Sequence, residues 1–458
     1  MEKILLLNPP GTSRYLRDQY CSSSAKAFYY WPPIDLLVIN GILRAHYNVT
    51  VLDAIVENLD ATQTFDFIKQ GGYDGIVALS SAASKDEDFA LFKKLKTRLG
   101  VKILANAGFL RFESEKALRR YSFLDAVILD FTEIGSLLFL KGERGSLPGI
   151  AYRDHDSIIK NFGDFNDNFS YPVPAHRSFP LAKYYTPQAR YRPFTCVLAS
   201  SGCKFNCKFC SSSKIPFRKR NINNLIHELH ALGKLGVREV HFPDFTFTAD
   251  KQHCLDICRA IKKEGIILNW DCLTRPDCVD EELLLEMKQA GCHTVQFGVE
   301  TKNEEVLLRL DKHLKNSQIT DAFGMCKKYG IETIGFFIIG LPDEGRQEIE
   351  DTIKFACELD CDYASFSIFV PDYGSNIREK IKSENSAILE GYCLDRTKFP
   401  VWQKNASEVW RLRNKAVRKF YLRPRYFLRR LIKIRSWHEF AVQFINLFFL
   451  LKSQTRIH

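Results

Sequence analysis

Short apolar runs alternate with segments of helical periodicity along the first 140 residues of the chain. Apolar residues recur every three or four positions in 34–43, 61–70 and 87–99, as in helices that bury one face. Runs of strand length lie between them, at 3–7, 49–52, 75–79, 101–105 and 126–129. This alternation predicts an α/β fold in which residues 1–140 form a Rossmann-like domain with a doubly wound parallel sheet.

A second region with the same alternation begins at residue 194. Residues 141–193 are rich in Gly, Asn, Asp and Pro and show little periodicity beyond a candidate short strand at 149–153, which predicts a linker. Helical segments then separate six strand candidates, at 194–199, 239–242, 267–270, 294–299, 333–339 and 363–370. These βα units predict a partial (β/α)6 barrel over 194–375, and barrel enzymes keep their chemistry at the carboxyl ends of the strands. Residues 376–458 are predicted to form a helical, basic carboxyl-terminal region.

The net charge of +11 is a property of that last region. Residues 411–435 contain eleven Lys or Arg and no Asp or Glu, so the net charge of the rest of the chain is zero. Three interpretations stay open: peripheral membrane contact through 411–451, a helical lid over the barrel mouth, and a nucleic-acid patch. The last is the least favoured because no common RNA-binding fold is visible. The apolar run 441–451 is about half the ~20 residues that span a bilayer.

The opening MEKILLLNPPG lacks the apolar run and the cleavage site of a signal peptide. Fourteen cysteines in a chain of this length therefore fit a reducing compartment better than a disulfide framework. We expect a cytoplasmic protein, and attachment to the inner membrane face is the alternative that the basic region leaves open.

Three cysteines fall within eight residues in SSGCKFNCKFC, directly after the first predicted barrel strand. The thiolates of Cys203, Cys207 and Cys210 can hold three irons of a [4Fe–4S] cluster. The fourth iron would stay open and could chelate the amino and carboxylate groups of S-adenosylmethionine (SAM). A zinc site would need a second cysteine or histidine pair about 12–20 residues away, and none follows. Zinc binding and chance spacing are the alternatives.

This CxxxCxxC spacing resembles the signature of the radical SAM superfamily, and the resemblance continues for about 180 residues, to Pro371. It implies a [4Fe–4S] cluster on the three cysteines and SAM at the barrel mouth. Phe209 and Ile339 would flank the adenine, and Glu344 would support the loop after the fifth strand. The residues implied to lie at the SAM site are Phe209, Asp244, Arg275, Gly298, Glu300 and Ile339.

Three of these residues are charged, and each has a structural alternative. Glu300 would bind the ribose hydroxyls, with Gly298 beside it allowing close backbone approach, or would form a buried salt bridge. Asp244 would bind the SAM ammonium group or cap the helix that follows. Arg275 would reach the SAM carboxylate or form a surface ion pair.

A Rossmann-like domain ahead of such a barrel is similar to the cobalamin-binding subfamily, as are the stretches ILLLNPP, WPPIDLLVINGIL and VTVLDA. None of the loops at the carboxyl edge of the sheet is GxGxxG, so a nicotinamide or flavin dinucleotide is not indicated. The DxHxxG pattern that supplies a lower axial His to cobalt is absent. A scaffolding domain without a ligand is therefore the alternative. The cobalamin contacts implied by the resemblance are Pro10, Gly11, Ser80, Ser81, Asn106 and Gly108.

Together these resemblances imply an enzyme that reductively cleaves SAM to a 5′-deoxyadenosyl radical and transfers a methyl group from cobalamin to an unactivated carbon. Radical oxidation, cyclisation or rearrangement without methyl transfer is the alternative within enzymes. A non-catalytic iron–sulfur, cobalamin or RNA-binding module is the alternative from another class. The expected partners are an electron donor such as flavodoxin or ferredoxin and a small-molecule, lipid or peptide substrate.

Overall fold

The computed structural model describes residues 2–20, 22–163, 166–384, 395, 405–434 and 444. The amino-terminal strands are β1 (Lys3–Asn8), β2 (Tyr15–Arg17), β3 (Ser22–Ser24), β4 (Asn48–Asp53), β5 (Gly75–Leu79), β6 (Lys102–Asn106), β7 (Ala126–Ile128), β8 (Ile150–Asp154) and β9 (Ser157–Asn161). The helices among them are α1 (Ile34–Leu43), α2 (Ala61–Gly71), α3 (Lys85–Leu99), α4 (Leu110–Arg120) and α5 (Gly135–Leu140).

The amino-terminal sheet runs in the order β4-β1-β5-β6-β7-β8-β9, and its first five strands are parallel. Apolar cores cover both faces: one contains α1 and α5, and the other contains α2, α3 and α4. Local sequence sets the helix ends. At α2, for example, Asp60 and Gln63 form a capping box, and Gly72 ends the helix at a φ of +60°. The predicted doubly wound sheet is confirmed.

Residues 141–193 are more than the linker that their composition predicts. Strands β8 and β9 form an antiparallel hairpin that extends the sheet beyond β7. The side chains of Ile150, Ala151 and Tyr152 are fully buried there, so burial outweighs the turn-rich composition of the segment. The candidate strand at 149–153 is present as β8, whereas β9 was not predicted.

The second region contains β10 (Asn168–Phe169), β11 (Phe194–Cys196), β12 (Ser200–Ser201), β13 (Arg218–Arg220), β14 (Glu239–Phe242), β15 (Asn269–Thr274), β16 (Cys292–Glu300), β17 (Glu332–Ile339) and β18 (Tyr363–Ile368). Its helices are α6 (Ile222–Lys234), α7 (Lys251–Lys263), α8 (Glu281–Gln289), α9 (Glu304–Arg309), α10 (Asn316–Lys328), α11 (Arg346–Leu359), α12 (Asn376–Glu384), α13 (Ala406–Tyr421) and α14 (Pro424–Lys433).

Six parallel strands form the open barrel in the order β11-β14-β15-β16-β17-β18. The predicted partial barrel is therefore confirmed. The third strand begins two residues later than the prediction, because Ile267 lies in a loop with 82% of its surface exposed. Strands β10, β13 and β12 form a separate small sheet. In that sheet Arg218 donates to Asp130 and Glu133 of the amino-terminal domain at 2.7 Å each, which ties the two halves together.

The basic carboxyl-terminal helices pack against the barrel. Arg429 pairs with Asp360 at 2.7 Å, Lys415 pairs with Glu350 at 3.0 Å, and Lys433 contacts Asp362. The positive charge of α13 and α14 is thus partly balanced by barrel carboxylates, as the lid interpretation expects. None of the helices described here is long and apolar enough to cross a membrane. Most of the run 441–451 lies outside the described residues.

Side chains of the same helices satisfy the open edge of β18. The Tyr421 hydroxyl donates to the carbonyl of Ala364 at 2.8 Å and accepts from its amide at 3.1 Å. Arg413 donates to the carbonyl of Phe366, and the Tyr426 hydroxyl donates to the carbonyl of Asp362 at 3.1 Å. The last barrel strand therefore has polar partners on the side away from β17.

Candidate active site

A cavity of about 620 Å³ lies at the carboxyl ends of the barrel strands. The cysteine loop, the ends of β15 to β18, the amino-terminal domain and the carboxyl-terminal helices all contribute to its walls. The cysteines among its lining residues are Cys203, Cys207 and Cys210. The structure therefore places the three predicted cluster ligands in one chamber.

The backbone just before the first cysteine turns sharply. Gly202 has a φ of +74°, and a Cβ there would lie 2.0 Å from the carbonyl oxygen of Pro216, so only glycine fits. The turn directs Cys203 towards Thr246, 3.7 Å from its Sγ atom. Cys210 Sγ lies 2.8 Å from the Ser212 hydroxyl.

The donor set fits a [4Fe–4S] cluster, which takes one thiolate per ligated iron. Burial raises the pKa of Cys207 and raises that of Cys210 to about 11, so binding to iron would have to provide the driving force for deprotonation. Arg275 donates to Cys207 Sγ at 3.5 Å and adds positive charge beside the thiolates. Within the described ranges, no three His, Cys, Asp or Glu side chains are arranged to hold a single metal ion.

Phe209 lies on the cavity wall beside the cysteines and packs in a small apolar cluster with Leu341 and Phe369. Its ring centre is 5.9 Å from the ammonium nitrogen of Lys312. Both side chains therefore border the same part of the cavity, and the adenine contact of Phe209 stays a prediction.

Glu300 ends β16 in a left-handed conformation with a φ of +68° and forms a 2.5 Å ion pair with Lys312. Both side chains line the cavity although each is at least 90% buried. Gly298 leaves the room for this pair, because a Cβ there would lie 2.8 Å from Glu300 Oε1 and 3.0 Å from Lys312 Nζ. Glu300 therefore lies on the cavity wall and forms a buried salt bridge at the same time. Lys312 was missed, since a lysine just after a short helix looks like a solvated side chain.

Arg275 also lines the cavity, but its donors are engaged within the protein. It binds the Asp277 carboxylate at 2.8 and 2.9 Å and the carbonyl of Lys312 at 2.6 Å, and it stacks 3.9 Å from the Phe205 ring centre. With only 7% of its surface exposed, it is not the surface ion pair considered as an alternative. Its contacts suit a residue that holds the cysteine loop.

Asp244 does not line the cavity. Its carboxylate is fully buried and accepts from the backbone amides of Ala199 and Ser200 and, at 2.6 Å, from the Ser200 hydroxyl. Burial raises the pKa of Asp244 to about 6. The helix cap considered as the alternative is wrong, since Asp250 caps α7 and Asp244 anchors the segment that precedes the cysteines. The contact of Asp244 with the SAM ammonium group stays a prediction.

Ile339 is fully buried in the barrel core, and Ile338 lines the cavity in its place. Successive strand side chains point to opposite faces, so a shift of one residue exchanges the cavity for the core. The loop after β17 does match the expectation for Glu344. Its carboxylate accepts from the amides of Gly340 and Leu341 at 3.1 and 3.2 Å.

Of the six residues predicted to contact cobalamin, Gly108 lines the cavity and the other five do not. Asn106 is fully buried and donates to Asp35 at 2.6 Å, and Ser80 and Ser81 are also fully buried. The carbonyl of Pro10 accepts from Arg17 at 2.8 Å. At Gly11, any Cβ would lie 2.5 Å from the Tyr15 ring. Ala82 and Phe109, in the loops after β5 and β6, also line the cavity, and the other lining residues of this domain lie between positions 16 and 31.

The comparisons with known proteins agree with this geometry. The radical SAM superfamily matches residues 197–356. An uncharacterized methyltransferase of Pyrococcus horikoshii is 31% identical, with 96% of each chain covered. The cytidylyl-2-hydroxyethylphosphonate methyltransferase of Streptomyces wedmorensis is 26% identical over 83% of this chain and 82% of its own.

Two solved structures share the fold. The radical SAM methyltransferase TsrM of Kitasatospora setae, with cobalamin and a [4Fe–4S] cluster bound, has a TM-score of 0.66 at 16% identity and covers 84% of this chain and 78% of its own. The cobalamin-dependent radical SAM enzyme OxsB, with aqua-cobalamin and SAM bound, has a TM-score of 0.69 at 14% identity, covering 99% and 72%.

The chain belongs to the radical SAM superfamily. It is therefore an enzyme whose cofactors include a [4Fe–4S] cluster and SAM, and the binding-module alternative is excluded. Enzymes of this superfamily typically act on small molecules and need a reductant.

Proposed function

We propose that this enzyme is a cobalamin-dependent radical SAM methyltransferase that acts on an unactivated carbon. The observation that carries the proposal is the shared cavity, which the cysteine loop borders on one side and the amino-terminal sheet edge borders on the other. Relatives named as methyltransferases and the two cobalamin-containing structures of the same fold support it.

The chain's own residues would hold and orient the reactants. Cys203, Cys207 and Cys210 would hold the cluster. When bound, the cluster supplies one electron to SAM and cobalamin supplies the methyl group. Glu300 would accept from the ribose hydroxyls, and Lys312, which keeps two further N–H donors beside its bond to Glu300, would bind the SAM carboxylate. The resemblance implied Arg275 for the contact with the SAM carboxylate. Because Arg275 already binds Asp277, the carbonyl of Lys312 and Cys207, the proposal assigns that contact to Lys312.

The cobalamin would lie between the barrel mouth and the sheet edge. Of the six contacts that the resemblance implies, the proposal keeps Gly108, which lines the cavity. Gln19, Tyr20 and Ala82 line the same side of the cavity and add polar and apolar surface to it. A side chain at position 108 would narrow the cavity on this side, because its Cβ would lie 3.6 Å from the Gln19 carbonyl oxygen. The other five residues do not line the cavity, so the proposal does not rely on them.

The electron donor would dock beside the cysteine loop. Lys204 and Lys214 are exposed there and Lys208 is partly exposed, and such a basic surface suits an acidic flavodoxin or ferredoxin. We place the enzyme in the cytoplasm. Peripheral contact with the inner membrane face is supported by the exposed Leu428 and Ile432 beside Arg425 on α14. Co-sedimentation with vesicles of anionic lipid tests that contact.

The central experiment is anaerobic and needs no substrate. The enzyme with reconstituted cluster is incubated with hydroxocobalamin, a reductant and SAM, and 5′-deoxyadenosine, S-adenosylhomocysteine and the corrinoid spectrum are recorded. Deoxyadenosine together with retained corrinoid and S-adenosylhomocysteine would support the proposal. Deoxyadenosine without corrinoid binding would contradict methyl transfer and favour another radical reaction, such as the cyclisation named for a 23% identical relative from Rubrivivax gelatinosus.

A further inference from the structure

The floor of the cavity carries a buried group of polar residues that the cofactors do not use. His241 on β14 and Asp271 on β15 are opposite each other in register and join at 2.6 Å between Nδ1 and Oδ1. Gln296 on β16 donates to the same carboxylate oxygen at 2.5 Å. His241 and Gln296 line the cavity, and His241 is fully buried.

The state of the histidine follows from its partner. The 2.6 Å contact between His241 Nδ1 and Asp271 Oδ1 is a hydrogen bond, and Gln296 donates to the same oxygen, so Asp271 serves as the acceptor carboxylate of this group. An ionised carboxylate only accepts hydrogen bonds, so Nδ1 of His241 must carry the proton that is donated. In the neutral ring Nε2 is then an acceptor.

His241 differs from the other buried histidines of the barrel region. His293 binds Thr294 and Glu239 through its two ring nitrogens, at 2.8 and 2.7 Å. His176 likewise binds Thr195 and Glu228 at 3.1 and 2.7 Å. The Nε2 atom of His241 is buried without a hydrogen-bond partner. His293 and His176 thus use both ring nitrogens, and the buried His253 contacts the carbonyl of Ala199 through Nε2 at 3.3 Å. His241 differs from them because one of its ring nitrogens is buried without a partner.

An unmet donor lies next to this unmet acceptor. Trp31 of the amino-terminal domain packs edge-on against His241 with ring centres 4.5 Å apart, and its indole N–H is also buried without a partner. Both rings line the cavity. Leaving either group unsatisfied costs about 1–3 kcal/mol, so a ligand that bonds to both would recover that free energy.

We infer that His241 and Trp31 form an anchor for a hydroxyl group of the substrate, which donates to His241 Nε2 and accepts from the Trp31 indole. A hydroxyl matches because it has both a donor and an acceptor. The apolar wall formed by Phe336, Ile338 and Val370 would receive the carbon skeleton. The inference rests on the proposed function and assigns its substrate to the class of hydroxylated molecules with an apolar skeleton.

The test uses two probes of similar size, benzyl alcohol and ethylbenzene, with the reconstituted enzyme carrying its oxidised cluster. Nitrogen-15 spectra of labelled histidine are recorded, and His241→Gln identifies the His241 resonance. We expect benzyl alcohol to move the Nε2 resonance of His241 and ethylbenzene to leave it in place, while the His293 resonances stay fixed with both. Benzyl alcohol should bind about tenfold more tightly than ethylbenzene, which is ~1.4 kcal/mol.

Trp31→Phe removes the indole donor and keeps a ring. It is a second test that can be made even if the His241 variant does not fold. It should reduce the preference for the alcohol severalfold. The inference is overturned if benzyl alcohol leaves the His241 resonance unmoved up to its solubility, if His241 is protonated at Nε2 in the free enzyme, or if Trp31→Phe keeps the full preference. Deoxyadenosine formation by the same preparation reports on the proposed function separately.

Discussion

The two rims that face the cavity use their polar residues differently. At the barrel rim, Cys207, Glu300 and Lys312 line the cavity and are available to cofactors. At the amino-terminal rim, Arg17 is fully buried and binds Asp88 at 2.8 Å, together with the carbonyls of Pro9 and Pro10. These polar residues therefore face the cavity at the barrel rim, whereas Arg17 forms an internal brace at the amino-terminal rim.

The largest expected effect that separates the rims is at Cys207. Cys207→Ala should lose bound iron and reduce deoxyadenosine formation to the level without enzyme, because a cluster held by two thiolates is not retained. Iron and sulfide analysis and product chromatography measure this. Cys278→Ser is the matched control, since Cys278 is partly buried nearby but does not line the cavity. Full iron content in Cys207→Ala would remove Cys207 from the site.

Arg17→Met tests the opposite rim. It leaves Asp88 as a buried charge without its partner, so we expect a loss of about 3–5 kcal/mol in the free energy of unfolding. Urea unfolding measures it. Lys183→Met breaks a half-exposed pair with Glu57 and should change stability by less than about 1 kcal/mol. If Arg17→Met were as stable as the wild type but failed to bind corrinoid, the brace would be a ligand site after all.

Lys312→Met refines the assignment at the barrel rim. Loss of the ammonium group should weaken SAM binding by about tenfold to a hundredfold, as expected when a charged hydrogen bond is removed. Calorimetric titration of the cluster-loaded enzyme with SAM measures the change. Lys312→Arg should recover most of the affinity, and Lys208→Met, which alters an exposed pair with Asp311, should have no effect. Equal losses for SAM and decarboxylated SAM would contradict a carboxylate contact.

The smallest effect concerns pH. Burial raises the pKa of Glu344 from 4.5 to about 7, so the folded protein holds more protons than the unfolded chain between these values. Stability from this group is full below about 4.5 and is lost as the pH rises through about 7. Glu344→Gln keeps an acceptor for the backbone amides and should flatten the profile by about 1–2 kcal/mol. The exposed Glu305→Gln should leave the slope unchanged.

The difference between the rims also explains what the sequence could predict. The positions of the three cysteines and of Glu300 on the cavity wall could be predicted, because the resemblance places fixed residue types at fixed positions. Ile338 was missed by one residue, since an all-apolar run gives no sign of which face each side chain takes. The brace of Arg17 was not identifiable, because its carboxylate partner Asp88 lies 71 residues away and meets it only in the folded domain.

The hydrogen bonds of Tyr421, Arg413 and Tyr426 to β18 have a consequence for solubility. An uncovered last strand would present free amides and carbonyls to any extended chain and invite edge-to-edge aggregation. A chain ending before α13 would expose that strand and should precipitate as it is synthesised. The helices that close the cavity thus also keep separate copies of the enzyme from joining strand to strand.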